Sequence, residues 1–97
     1  MYYQHIVHKC EIAIIMRNPE LSKILCKRIS DLIASNGLTA EQLAYQSGIS
    51  KGGLSEIIRE LKEPSNYTIS KICIALNITM DEFFNFKELK DFIKQQY

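Results

Sequence analysis

Few folds accommodate the stretch from Thr39 to Leu61, TAEQLAYQSGISKGGLSEIIREL. Thr39 is placed to offer its hydroxyl as an N-cap, and Gln42 stands three residues on to reach back, the spacing of a capping box. Ala40 to Gln46 then reads as a short helix with Leu43 and Ala44 inward. Gly48 suits the left-handed backbone conformation that ends a helix and that a β-carbon disfavours. Ile49 plugs the turn, and Ser50 caps again. Leu54, Ile57, Ile58 and Leu61 follow at the i, i+3, i+4, i+7 spacing of an amphipathic helix. The outcome is two short helices meeting at a tight turn.

Small Ala44, a turn glycine four residues later and a new cap two further on have the spacing of a helix-turn-helix. The second helix of such a unit can lie in a DNA major groove.

The rest of the chain supplies the support. Its 97 residues suffice for one core and not two, and 46% hydrophobic with 24% charged residues is an ordinary globular balance. No apolar run approaches bilayer length, and the opening lacks the basic start and long apolar block of a secretory signal. Three scattered cysteines, Cys10, Cys26 and Cys73, favour free thiols in a reducing cytosol over a disulfide framework. Cys26 and Cys73 read as small buried hydrophobes. The net charge of +1 is low for a chain that neutralises phosphates.

Residues 1–16 fit a helical stripe through Ile6, Val7, Cys10, Ala13 and Ile14, and equally a strand through Ile12, Ile14 and Ile15. Such a segment is too apolar for a solvated tail and is expected to pack on the domain or on a second copy. Met16 stands beside Met1 as a candidate initiator. Asn18-Pro19-Glu20 opens a helix with a cap, a proline at the first position and an acid at the positive dipole end. It runs to about Ser35 with Leu21, Leu25, Ile29, Leu32 and Ile33 inward, and Lys23, Lys27, Arg28 and Asp31 mostly outward; Asn36-Gly37 ends it. Ser65 caps a helix from Asn66 to Leu76 with Ile69, Ile72, Cys73 and Leu76 inward, closed by Asn77. Thr79 caps a fifth helix with Asp81 and Glu82 in its first turn. Phe83, Phe84, Phe86, Leu89, Phe92 and Ile93 prolong the apolar pattern to the C-terminus.

The residues Leu-Thr-Ala-Glu-Gln-Leu-Ala (38–44), Gly-Ile-Ser (48–50), Leu54-Ser55 with Ile57, Pro64-Ser65, and Ala75-Leu76 through Asp81-Glu82-Phe83-Phe84 resemble the Cro and phage-repressor-like (XRE) helix-turn-helix family of bacterial and phage regulators. The resemblance covers about residues 21–85 without gaps. Five helices and no convincing strand outside the opening segment give an all-α fold, and the resemblance implies a five-helix lambda-repressor-like bundle; the chain then divides into an N-terminal segment over 1–18, the DNA-binding domain over 19–86 and a C-terminal helical extension over 87–97. The resemblance further implies a two-fold dimer on double-stranded DNA with the third helix in the major groove. That helix would begin at Ser50 and present Lys51, Gly52, Ser55, Glu56 and Arg59. The start of the second helix, Thr39, Ala40 and Gln42, would take a phosphate on its N–H groups. Lys62 and Asn66 would approach the DNA backbone from the following loop.

Three departures from the family pattern matter. The family usually pairs an Arg in the first helix with a Glu in the third, where this chain aligns Ile33 and Ile58, a compensated swap to an apolar contact. Glu60 replaces a common Gly, so the third helix is expected to run longer before Pro64. Gly52-Gly53 weaken the first turn of the third helix. They mark either close approach of the backbone to DNA or a surface where DNA reading has decayed.

Other patterns do not rise to sites. His5, His8 and Cys10 match no zinc spacing and lack a fourth ligand. Tyr67 reads as a packing residue with an exposed hydroxyl or as a phosphate contact. Glu56 reads as a solvated charge or as an acceptor for a cytosine amino group. No catalytic constellation, cofactor loop or metal motif is found, so an enzyme is not expected. The sequence therefore predicts a cytoplasmic, bacterial or phage-encoded DNA-binding regulator, a repressor acting as a homodimer on a near-palindromic operator. The alternative is a protein-interaction module, or an antitoxin with a toxin or other regulator as partner, that keeps the fold with little DNA binding.

Overall fold

A computed structural model describes residues 18–96, and among these there are six helices and no strand. They are α1 (Pro19–Ser35), α2 (Ala40–Ser47), α3 (Lys51–Ile58), α4 (Asn66–Leu76), α5 (Met80–Phe84) and α6 (Lys87–Lys94). The helical-or-strand reading of the opening segment, and His5, His8 and Cys10, lie outside the described residues.

The caps fall where the residue types demand. Asn18, Thr39, Ser50, Ser65 and Thr79 each accept from the backbone N–H three residues on. Thr39–Gln42 and Thr79–Glu82 close full capping boxes. Four helices end in the same way, on a left-handed residue whose successor's N–H returns to a carbonyl five residues back. Those residues are Gly37, Gly48, Glu60 and Asn77. The returning bonds are Leu38 to Ile33, Ile49 to Ala44, Leu61 to Glu56 and Ile78 to Cys73.

Glu60 is the exception in that set, and it overturns one expectation. The third helix does not run on toward Pro64; it stops at Ile58, and Glu60 takes φ +62° despite its β-carbon. The geometry the family's glycine supplies is kept with a residue that strains it. Because the helix ends early, Leu61 is carried off the inward stripe and is 66% exposed, against the expectation from spacing.

Ile29, Leu43, Leu54, Ile69, Ile72 and Phe83 are fully buried, so α1 to α5 each contribute to one core. Each such side chain adds roughly 1.5–3 kcal/mol relative to exposure. Ile33 is buried in the same cluster and Ile58 packs against it, where α1 meets α3. Cys26 and Cys73 are buried thiols, and burial pushes both above the usual value of 9.0.

The C-terminal apolar stripe is divided. Asn85 leaves the helical region at φ −91°, ψ 76° and Phe86 is extended, so α5 is only five residues long and α6 starts anew. α6 packs on α1 with Leu89 and Phe92 buried, beside an apolar groove of about 510 Å3 that Leu21, Leu25, Phe84 and Ile93 help to line.

Candidate nucleic-acid interface

α2 and α3 pack on each other, and both pack against partners behind them: α2 on α4, α3 on α1. Leu54 and Ile57 face inward, fully or nearly fully buried. By helical geometry the opposite side of α3 faces out, and Lys51, Gly52 and Glu56 are exposed there while Ser55 is half-buried. Arg59 is exposed too, but it belongs to the C-cap and not to the helix proper. The outward face is therefore one turn of helix and little more.

Four of the expected residues, Thr39, Gln42, Ser50 and Lys51, have specific local engagements. Gln42 donates its N–H to Thr39 Oγ1 at 3.1 Å, and Thr39 donates its own N–H to Gln42 Oε1 at 2.8 Å. These two are committed to each other, so the α2 N–H groups left to face an anion are those of Ala40 and Glu41. Ser50 Oγ accepts from the Gly53 N–H at 3.1 Å. Lys51 reaches back to the first turn of α2, with Nζ 2.7 Å from Glu41 Oε1. Both side chains are largely exposed, at 74% and 69%. A hydrogen bond from Lys51, and then its charge, hold the Glu41 carboxyl below its ordinary value.

A cleft of about 250 Å3 lies between the turn, α3 and the start of α4, with Lys62, Tyr67, Thr68 and Lys71 among its lining residues; Asn66, the first residue of α4, is exposed and does not line it. Lys71 donates to the Gly48 carbonyl at 3.4 Å and its ammonium lies 4.9 Å from the Tyr67 ring centre. Lys71 was not among the expected contacts. The signal was available, since Tyr67 and Lys71 stand at i and i+4 on one helix face. Tyr67 is 69% exposed, so it is no core residue.

Electrostatically the unit is balanced. Residues 39–71 carry four cations, Lys51, Arg59, Lys62 and Lys71, and four carboxylates, Glu41, Glu56, Glu60 and Glu63. Any attraction to a polyanion must come from where the charges lie and not from their sum.

An exposed helix set by a turn against a short capped helix, within an all-helical bundle, defines a helix-turn-helix protein. The chain belongs to that family, with the family model described as Helix-turn-helix matching residues 29–83. It is similar to YopO of Bacillus subtilis (strain 168), described as an SPbeta prophage-derived uncharacterized HTH-type transcriptional regulator. The two are 31% identical over 67 residues, covering 69% of this chain and 96% of the relative. No solved structure matches the chain significantly. No helix of the described residues is long and apolar enough to cross a membrane.

Proposed function

We propose that this chain is a sequence-specific double-stranded DNA-binding regulator, a repressor that acts as a homodimer by occupying a near-palindromic operator. The observation that carries the reading is the exposed outer turn of α3, Lys51 to Glu56, held in place by α2 and α1 behind it. In this arrangement Lys51, Ser55 and Arg59 face base edges, and the Ala40 and Glu41 N–H groups and Lys62 face phosphates. Lys71 joins Lys62 as a second backbone contact. Two copies would set their α3 helices about one DNA turn apart, roughly 34 Å.

The test is selection of bound duplexes from a random pool by the purified chain, with its mass measured in solution. A half-site repeated with two-fold symmetry and a dimeric mass support the reading. A folded chain that binds no duplex at low salt overturns it.

One observation favours a second reading. The balance of four cations and four carboxylates over residues 39–71 weakens the phosphate attraction that supplies most non-specific affinity. A protein-interaction module on the same fold would tolerate that balance. Binding to duplex that falls steeply with salt separates the first reading from the second.

A further inference from the structure

Two glycines stand side by side in α3, and a β-carbon would meet a close neighbour at only one of them. A β-carbon on Gly53 would meet Ser50 Oγ at 2.8 Å, and that hydroxyl caps the helix through the Gly53 N–H. Gly37 and Gly48 sit at φ +66° and +73°, where side chains are strained. Of the four glycines in the chain, that leaves Gly52. A β-carbon there meets nothing within 4 Å, its φ is not positive, and the residue is exposed within a helix.

Glycine is a poor helix former, less stable than alanine at almost any helical position. A residue that weakens its own helix, with no compensating contact inside the chain, marks space that something outside the chain uses. Gly52 lies in the first turn of α3, between Lys51 and Ser55, where the residues of such a helix meet base edges.

We propose that Gly52 is the point of closest approach between α3 and DNA, with the main chain resting against a base edge in the major groove. The inference rests on the regulator reading above. A methyl group at this place holds the helix off by about one bond length, ~1.5 Å. That displacement takes Lys51 and Ser55 outside the narrow distance range in which hydrogen bonds form. Gly52 thereby acts as a specificity determinant through the side chain it lacks.

The experiment uses the full chain and the duplexes it selects from a random pool. Gly52→Ala is expected to raise the melting temperature by a few degrees, because the helix gains and nothing is crowded. Its affinity for the selected duplexes should fall about tenfold or more, while the slope of log affinity against log salt stays as in the parent, since no phosphate contact is removed. Undiminished affinity in Gly52→Ala overturns the proposal and leaves the regulator reading standing. A lowered melting temperature also overturns it, by giving the glycine a role within the fold. Failure of the parent chain to bind any duplex overturns the regulator reading, and this inference with it.

Discussion

Arg28 Nε donates to the carbonyl oxygen of Phe83 at 2.8 Å, across 55 positions of sequence, and Arg28 Nη2 donates to the Glu82 carbonyl at 2.9 Å. The same guanidinium lies 4.8 Å from the centre of the Phe86 ring. Periodicity puts Arg28 mostly on the outward side of α1; it is half-buried there and reaches across to the end of α5, tying that short helix to α1. The Glu82 carbonyl also accepts from the Asn85 N–H at 3.3 Å, so Arg28 adds a second donor there and a donor to the Phe83 carbonyl. Arg28→Ala should lower stability by about 1–2 kcal/mol, read as a shift in the urea midpoint at constant slope. Arg28→Lys should recover little, because one ammonium cannot replace a planar fork that meets two carbonyls and a ring.

Glu60 holds a left-handed conformation at φ +62° where the related motif carries glycine. For a residue with a β-carbon that conformation costs roughly 1–2 kcal/mol, part of which glycine gives back through its freer unfolded chain. Glu60→Gly is therefore expected to stabilise the protein by about 0.5–1 kcal/mol, and Glu60→Asn by less. The measurement is the thermal midpoint, and an unchanged or lowered value for Glu60→Gly contradicts a strained left-handed Glu60.

How much of this was legible beforehand depends on range. Caps, turn glycines and inward stripes are local signals, so the starts of α1 to α5 and the core through Ile29, Leu43, Leu54, Ile69, Ile72 and Phe83 follow from spacing. Glu60 was misread because propensity allows a glutamate to continue a helix. Only the returning bonds around it, Glu60 to Ile57 and Leu61 to Glu56, show that the closing motif wins. The partners of Arg28 are not legible from spacing because they are far away in sequence. Within the candidate site, the exposed positions of α3 were legible from period alone. The engagement of Lys51 with Glu41, and the cleft shared by Lys62, Tyr67 and Lys71, depend on the packing angle between helices, which periodicity does not encode.

The Lys51–Glu41 pair has a consequence for binding. A carboxylate 2.7 Å from the first cation of α3 competes with any phosphate or base edge for that cation. Since both groups are exposed, the pair adds little to stability, and Glu41→Gln should leave the urea midpoint unchanged. Affinity for duplex at low salt should rise several-fold in Glu41→Gln and show no such rise when Lys51→Ala is already present, the result a double-mutant cycle reads. The Glu41 carboxyl lies below its ordinary 4.5 in the folded chain, so the pair is intact above that value. It is lost as pH falls through the depressed folded value, and the carboxylate at neutral pH is fully charged.

Ile33 lies in the buried cluster and Ile58 packs against it, at the two positions where the resembling family sets an arginine against a glutamate. An arginine alone at position 33 would have to be desolvated within the apolar cluster with no carboxylate at position 58 to meet it. Breaking a buried pair in this way typically costs about 3–5 kcal/mol, more than the same site loses when both partners are exchanged together. Ile33→Arg should thus destabilise by roughly 3 kcal/mol, and adding Ile58→Glu should return a substantial part of that loss. Denaturation of the two single variants and the double variant measures the coupling directly. An additive result, with no recovery in the double variant, would show that the two isoleucines share a core without substituting for the pair.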